Sequence, residues 1–426
     1  MVDVAKVRMF GQNIGTFVWD DSYRVARFEY DNDFVGKGIE PSPIMMPVQQ
    51  GRIYSFGSLN WDTFNGLPGM LADSLPDTYG RALFDQWLTL TGRTTSNPVE
   101  SLCFLGQRCM GALEFEPATG PSSDANMKFE IDTLIDVARE ALSKKKDFGV
   151  NLDVDRKAAI AEILRLGTSA GGQRAKAIIA YNKETGEVRS GQISAPEGFD
   201  YYLIKLDGVT AEAGFKETEN FGRLEYSFSE LVKNCGIDMT ECSLIEENGR
   251  AHFLTKRFDR ENGRKIHMQT LCGMAHYDFR LKNGHSYEQA FNVMRRLRLP
   301  YSQAQEMFRR IVFNVVVRNQ DDHTKNISFL MDSSGQWSLS PAYDMGFAYN
   351  PLGAWTATHQ MSINGKFDNI TRADLLSLAN ANNIKNASEI IDQVCETTAG
   401  WPEVAKNCGV PQKMIDGIVP HMLLSI

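Results

Sequence analysis

Hydrophobic and polar residues alternate along the first sixty residues, which is the pattern of strands with one buried face. Three runs show this alternation: Val7 with Met9, residues 14–19, and Val25 with Phe28 and Tyr30. Polar residues and a glycine at 11–13 separate the first two runs, and Asp31-Asn32-Asp33 ends the third. These are turn-forming residues. The pattern therefore predicts a small β module over residues 1 to about 60.

After the first sixty residues, segments with the apolar spacing of helices and segments with the alternation of strands follow one another along the chain. Helices are predicted at residues 77–90, 131–142 and 221–235, and strands at 111–115, 177–181 and 201–206. Residues 116–124 contain two prolines, a glycine and two serines, which indicates a linker. Asn248-Gly249 is the dipeptide typical of a type I′ turn and predicts a hairpin between residues 244–245 and 251–258.

The last third opens on a strongly apolar helix. Ser302 and Gln305 have the spacing of a capping box, and the apolar positions that follow are Met307, Phe308, Ile311, Val312, Val315 and Val316. Short strands are predicted at 327–330 and 337–339, around the turn at 332–335. A polar segment lies between this helix and this hairpin.

Composition limits the classes that the chain can belong to. Lys plus Arg number 45 and Asp plus Glu 53, a net charge of −8, so the basic excess of a stand-alone nucleic-acid binder is absent. Seven cysteines without a CxxC or a zinc-like spacing indicate thiols in a reducing compartment. The first ten residues lack the apolar core of a signal peptide, and no apolar run has membrane-spanning length. A cytoplasmic protein is expected.

The polar segment, residues 319–326, reads Asn-Gln-Asp-Asp-His-Thr-Lys-Asn. Phosphoryl transfer needs a carboxylate to orient the attacking hydroxyl, a neutral oxygen ligand for magnesium, and a second carboxylate that bridges metal and phosphates. Asp321, Asn326 and Asp344 supply those groups, and Asp-x4-Asn is the spacing of a protein-kinase catalytic loop. The order helix, loop, hairpin, aspartate also matches a kinase. The segment predicts a phosphotransferase, with a solvated acidic loop as the alternative.

Two neighbours of Asp321 leave questions open. Asp322 is also a candidate base, and only the spacing to Asn326 favours Asp321. His323 invites a catalytic role, but aspartate and magnesium chemistry needs no imidazole. We therefore expect His323 to brace the loop through hydrogen bonds.

A nucleotide-binding lobe is expected upstream. Residues 166–173 are rich in small side chains, which let backbone amides approach phosphate oxygens, although they match neither the P-loop nor G-x-G-x-x-G. Lys205 lies in a predicted strand, where an ammonium could pair with phosphates. The helix at 221–235 could bring a glutamate to it, with Glu225 preferred over Glu219 and Glu230. Residues 256–260 stand where a hinge would meet adenine, or form a plain surface strand end.

With these residues in view, the chain resembles the HipA-like serine/threonine-protein kinase toxins of bacterial type II toxin-antitoxin systems. The resemblance covers nearly the whole length and includes residues 73–81, 106–115, 202–206, 256–260, 267–274, 318–330 and 341–346. Its specific part is Asn-x-Asp-Asp-His-x-Lys-Asn at 319–326. It implies an α+β, kinase-like two-lobed fold. A β-rich N-terminal subdomain would cover 1–120, the nucleotide-binding lobe 121–260, and an all-helical C-terminal catalytic domain 261–426.

The resemblance also implies roles for individual residues in an ATP-dependent and Mg²⁺-dependent reaction. Asp321 would be the catalytic base, assisted by Lys325, and Asn326 and Asp344 would hold magnesium. Nucleotide contacts would come from Ser169, Ala170, Gly171, Gly172, Lys205, Lys256, Phe258, His323, Asn326 and Asp344. Autophosphorylation of Ser169 would silence the enzyme, since the added charge would repel the phosphates of ATP.

Partners follow from the same resemblance. It implies a small helix-turn-helix antitoxin similar to HipB, DNA contact through that antitoxin alone, no membrane, and a protein substrate such as a translation factor or an aminoacyl-tRNA synthetase. Gln269 stands where many relatives carry an acidic residue, which puts substrate preference in doubt. Two alternatives stay open. One is a catalytically weak corepressor subunit, which the intact residues Asp321, Asn326, Asp344 and Lys205 disfavour, and the other is a small-molecule kinase.

Overall fold

The computed structural model describes residues 1–76, 78–121, 128, 131, 135, 175–192, 194–209, 220–261 and 263–426. Most of the predicted helix at 131–142, the glycine-rich segment with Ser169, Ala170, Gly171 and Gly172, and Glu219 lie outside these residues. The chain forms two compact units: Met1–Pro41, Val48–Gly222 and Ser243–Met268 form the first, and Ser42–Pro47, Arg223–Cys242 and Gln269–Ile426 form the second. The predicted domain boundaries stay predictions.

The first unit opens with an antiparallel sheet of order β4-β3-β2-β1-β5. Its strands are β1 Val4–Met9, β2 Gln12–Asp20, β3 Val25–Tyr30, β4 Ile53–Tyr54 and β5 Glu114–Glu116. Val7, Met9, Phe17 and Phe28 are fully buried, so the predicted alternation and the β module are confirmed. Among the described residues that accompany it are the helices α1 Trp61–Phe64, α2 Gly69–Ala72, α3 Thr78–Leu90 and α4 Pro98–Leu105.

A second sheet of the first unit has the order β7-β6-β8-β10-β9. Its strands are β6 Lys176–Tyr181, β7 Val188–Ser190, β8 Asp200–Lys205, β9 Cys242–Glu247 and β10 Arg250–Lys256, and the pair β11 Arg260–Glu261 with β12 Arg264–Lys265 follows. Asn248 and Gly249 between β9 and β10 have φ angles of 46° and 80°. Both are positive, as a type I′ turn requires, so the predicted hairpin is confirmed.

The second unit consists mainly of helices. They are α5 Phe221–Asn234, whose first two residues belong to the first unit, α6 Leu271–Ala275, α7 Tyr287–Arg296, α8 Tyr301–Val317, α9 Arg372–Ala381, α10 Ala387–Ala399, α11 Trp401–Asn407 and α12 Gln412–Ile418. Short strands are added: β13 His267–Thr270, β15 Ser328–Met331 and β16 Trp337–Leu339 form one sheet, and β14 His285–Ser286 pairs with β17 Met361–Ser362.

The apolar helix α8 is the centre of the second unit. Phe308, Ile311, Val312 and Val315 are completely buried, as their helical spacing predicts. The capping box predicted at Ser302 is wrong, because α8 begins one residue earlier behind Pro300 and has no side-chain cap. Proline presets the backbone angle that starts a helix, so the helix begins without a hydroxyl cap.

Candidate active site

The loop after α8 is shaped by asparagine side chains. Arg318 ends the helix in the left-handed region with φ 53°, which turns the chain sharply. The Asn319 side-chain amide donates to Asn314 Oδ1 at 2.9 Å and to the carbonyl of Asp344 at 3.2 Å. The backbone amide of Gln320 donates to the carbonyl of Ala348 at 3.1 Å. These contacts bring the chain around Asp344 beside the 319–326 loop, although the two are distant in sequence.

Asp321 presents a half-buried carboxylate, with 46% of its side chain exposed. Its Oδ1 accepts a hydrogen bond from Trp355 Nε1 at 2.7 Å, and its carbonyl accepts one from Asn326 Nδ2 at 2.8 Å. Within the described residues Oδ2 accepts no hydrogen bond. Burial raises the pKa of Asp321, His323 and the Trp355 hydrogen bond oppose that rise, and the negative charges of Asp344 and Asp322 add to it. Asp321 and Asp344 therefore lie close enough for their charges to interact.

Asp322 lies in a different environment from its neighbour. It is 3% exposed, and its Oδ2 accepts hydrogen bonds from Tyr287 Oη at 2.7 Å and from His359 Nδ1 at 2.8 Å. Its Oδ1 accepts from the backbone amide of Gln360 at 2.8 Å. Both oxygens are thus used inside the protein, and the open carboxylate of the two is that of Asp321.

The side chains of His323 and Lys325 both contact the ring of Phe279. The His323 ring lies 5.2 Å from the ring of Phe279, and Lys325 Nζ stands 4.9 Å from the same ring. His323 Nε2 is 3.9 Å from Asp321 Oδ1, too far for a hydrogen bond, and burial lowers the pKa of His323. A neutral imidazole beside the loop is compatible with the expected bracing role. The His323 backbone amide donates to the Asp321 carbonyl at 2.9 Å, and the His323 carbonyl accepts from the Asn326 backbone amide at 2.9 Å. Ring packing against Phe279 adds to these backbone hydrogen bonds.

Asn326 and Asp344 were predicted to hold magnesium. Asp344 is exposed and has a φ of 51°, and it follows a tyrosine whose hydroxyl donates to the Lys325 carbonyl at 2.6 Å. Asn326 spends its amide NH₂ on the Asp321 carbonyl, which leaves its amide oxygen as the available donor atom. Amide and carboxylate oxygens are the hard ligands that magnesium takes, usually with water and phosphate oxygens completing the shell. The pair therefore fits the ion. Among the described residues no group of three or more His, Cys, Asp or Glu could hold a metal by itself.

Three of the predicted nucleotide contacts, Lys205, Lys256 and Phe258, lie in the first unit and are described there alone. Lys205 ends β8, where it is the register partner of Phe253, and its Nζ stands 5.8 Å from the ring of that residue. Lys256 ends β10 and pairs with Asp200 at 2.8 Å. Phe258 is half-buried two residues further on.

The glutamate partner of Lys205 stays a prediction. Glu230 pairs with Lys233 of its own helix at 2.9 Å. Glu225 lies in the same helix, and Glu219 is outside the described residues.

A buried network of ion pairs and hydrogen bonds around Asp259 fixes the hinge-like segment, residues 256–260. Asp259 is fully buried and accepts from Arg257 at 2.7 and 2.8 Å, from Arg260 at 2.7 Å and from the amide of Gly111 at 2.6 Å. Burial alone would raise the pKa of Asp259, but the two guanidinium charges hold it well below its usual range. Buried Arg257 and Asp259 alternate with half-buried Phe258, so the network sets which way the segment faces.

Several residues around Asp321 and Asp322 were missed by sequence reasoning. They are Trp355, His359 and Gln360, and all three come from an irregular stretch after Asp344. No periodicity marks them, and a tryptophan or a histidine in a loop has no motif of its own. Gln269, singled out as a departure, is buried and donates to Ser42 Oγ at 3.2 Å. It acts as a core polar residue of the second unit.

The protein has a kinase-like fold. A solved structure of Shewanella oneidensis MR-1, titled as the toxin-antitoxin system HipA, HipB and its operator DNA complex, contains a chain that matches with a TM-score of 0.66. The match has 18% identity and covers 95% of this chain and 90% of that one, so it supports the fold alone. Among the described residues, no helix is long and apolar enough to cross a membrane.

Family models match two parts of the chain. The HipA N-terminal domain matches residues 5–116, and the HipA-like C-terminal domain matches residues 168–401. The chain belongs to the HipA-like family. Curated relatives include a "Putative kinase" of Haemophilus influenzae, 29% identical over 28% of this chain and 39% of that protein. The "Putative kinase Y4dM" of Sinorhizobium fredii is 27% identical over 46% of this chain and 52% of that protein. The matches span about half or less of these relatives' own length.

Proposed function

We propose that the protein is an ATP- and Mg²⁺-dependent serine/threonine kinase and the toxin of a toxin-antitoxin pair. The observation that carries this proposal is the division between two adjacent aspartates. Asp322 is buried and both of its oxygens accept hydrogen bonds, whereas Oδ2 of Asp321 accepts none from the residues that the structure describes and lies beside Asn326 and near the charge of Asp344. One open carboxylate next to a pair of hard oxygen ligands is what phosphoryl transfer requires.

Each residue of the proposed site then has a role. Asp321 orients the acceptor hydroxyl and accepts its proton through Oδ2, and its raised pKa suits a group that must take up a proton. Asn326 and Asp344 would hold magnesium, which supplies charge neutralisation at the phosphates when bound. Lys325 would neutralise the transferred group. Its ammonium lies over Phe279, which shields one side of it from water.

The nucleotide would be bound by the other predicted residues. Lys205 would contact the phosphates, and Lys256 and Phe258 would meet adenine through their backbone. Asp259 supports that segment, since its two arginine partners and the Gly111 amide fix the strand end next to Phe258. His323 would close the loop side of the site. Ser169, Ala170, Gly171 and Gly172 would cradle the phosphates, and phosphorylation of Ser169 would silence the enzyme.

The proposed partners rest on the family. In the Shewanella oneidensis structure HipA is present with HipB and operator DNA. We propose that this chain binds a HipB-like helix-turn-helix antitoxin and reaches DNA through that antitoxin, as its acidic net charge of −8 would require. A protein of the translation apparatus would be the substrate.

The test is transfer of labelled phosphate from [γ-³²P]ATP with magnesium, using the wild-type protein alone and with bacterial lysate. We expect label on Ser169 and on a lysate protein, and loss of both in Asp321→Ala. Asp416→Asn, an exposed aspartate of α12, is the matched control and should label like the wild type. Label on a metabolite alone would favour a small-molecule kinase. No label on any species would favour a corepressor subunit.

A further inference from the structure

Hydrogen bonds hold the backbone in the middle of the segment of residues 350–360. Three consecutive carbonyls each accept one: that of Ala354 from Lys282 Nζ at 2.6 Å, that of Trp355 from Gln360 Nε2 at 2.6 Å, and that of Thr356 from the Asn350 amide at 3.1 Å. The backbone on both sides of Trp355 is therefore fixed. A loop residue held in this way presents its side chain in one direction.

Asp322 anchors the far end of the same segment inside the protein. His359 Nδ1 and the Gln360 amide both donate to this carboxylate at 2.8 Å. Gln360 Nε2 also donates to the carbonyl of Gln320, one residue before Asp321, at 3.2 Å. The segment and the catalytic loop thus share buried hydrogen bonds through His359 and Gln360, which limit how far the segment can move relative to the loop.

Trp355 is the residue of this segment that hydrogen-bonds to the carboxylate of Asp321, the proposed catalytic base. Its indole Nε1 donates to Asp321 Oδ1 at 2.7 Å, and within the described part of the chain no other group hydrogen-bonds to that carboxylate. A carboxylate held by one oxygen can rotate little, so Oδ2 keeps one orientation. Truncating or re-aiming the tryptophan would leave Asp321 free to rotate.

We propose that Trp355 is a positioning residue for phosphoryl transfer: it holds Asp321 through Oδ1 so that Oδ2 faces the hydroxyl of a protein acceptor. The hydrogen bond between His359 and Asp322 anchors the segment that contains Trp355. This inference rests on the proposed kinase activity and adds residues that no motif identifies. Misplacement of a reacting group by about 1 Å costs roughly a hundredfold in rate.

The first test uses Trp355→Phe, which keeps an aromatic side chain but removes the indole N–H donor together with the five-membered ring that bears it. With [γ-³²P]ATP, magnesium and dephosphorylated casein as acceptor, kcat should fall about ten- to a hundredfold while KM for ATP and the melting temperature stay unchanged. Trp61→Phe, which changes a partly exposed tryptophan of the first unit, is the control and should keep the wild-type kcat. A wild-type kcat in Trp355→Phe overturns the inference. A wild-type protein that labels neither casein nor itself overturns the proposed function instead.

A double-variant cycle shows whether Trp355 acts through Asp321. In an Asp321→Ala background, Trp355→Phe should leave the residual rate unchanged. A further fall by the same factor would mean an independent role and would overturn the inference.

The contact itself is measurable without nucleotide. The chain has six tryptophans, and the Trp355 indole resonance in a ¹H–¹⁵N spectrum is the one that Trp355→Phe removes. Asp321→Ala should shift this resonance and speed its exchange with solvent. His359→Asn should shift it as well, because His359 holds the segment to Asp322. If Asp321→Ala leaves the Trp355 resonance in place, the hydrogen bond does not exist in solution and the inference fails.

Discussion

At the scale of single residues, adjacent identical side chains acquire different chemistry from their surroundings. Asp321 and Asp322 are neighbours in the chain, yet one is 46% exposed with a free oxygen and the other is buried with three donors. A buried carboxylate whose two oxygens accept three hydrogen bonds inside the protein has no oxygen left for a substrate. Sequence spacing favours Asp321, but only the hydrogen-bond partners give a physical reason for that preference.

Asp344→Asn should weaken magnesium-dependent nucleotide binding by at least about tenfold, because a neutral amide replaces the anionic ligand proposed for the ion. The Kd for ATP is measured by calorimetry at several magnesium concentrations. Asp332→Asn, in the hairpin turn, is a matched control and should keep the wild-type Kd. Unchanged affinity in Asp344→Asn would remove this residue from the metal site.

At the scale of elements, regular strands and helices follow from the sequence because their periodicity is local. The β1–β3 alternation, the Asn248-Gly249 turn and the buried face of α8 all have a repeat that the chain displays. The 350–360 segment has no such repeat. Its order comes from carbonyls that accept hydrogen bonds from side chains, namely Lys282, which is distant in sequence, and Gln360 at the end of the segment itself. The capping box predicted at Ser302 is wrong although its pattern is local, because α8 already begins at Tyr301, directly after Pro300.

The buried network at Asp259 is an element-scale device that ties β10 to the Gly111 turn. Asp259→Ala leaves Arg257 buried without its anion, and breaking a buried pair on one side costs about 3–5 kcal/mol. We expect a fall of that size in the free energy of unfolding of the first unit, measured by hydrogen exchange of the β10 amides.

The control for Asp259→Ala is Asp20→Ala, which breaks the surface pair between Asp20 and Arg27 in the same unit. Its effect on the free energy of unfolding should be clearly smaller than that of Asp259→Ala, since exposed pairs contribute little. Equal effects of the two variants would show that the Asp259 network does not stabilise the hinge-like segment.

At the scale of the whole molecule, buried histidines make stability depend on pH. His267 is completely buried, with Nε2 2.9 Å from the carbonyl of Pro41, and burial lowers its pKa to about 4. Burial also lowers the pKa of His276 to about 4. In the unfolded chain these histidines have a pKa near 6.5. Between pH 6.5 and pH 4 the unfolded chain therefore binds protons that the folded chain does not. Both histidines therefore stabilise the fold fully above pH 6.5, and that stability is lost as the pH falls toward 4.

His267→Gln should flatten this dependence, because glutamine can keep a donor near Pro41 but takes up no proton. Each such histidine contributes a slope of up to about 1.4 kcal/mol per pH unit, so the variant should lose less stability than the wild type between pH 6.5 and pH 4.5. Urea unfolding at several pH values measures the slope, and His421→Gln, at an exposed position, is the control. A wild-type slope in His267→Gln would mean that this imidazole takes up its proton without unfolding. The acid sensitivity of the fold would then have to come from other groups, since ionised carboxylates such as Asp259 also lose stability on protonation, but at lower pH.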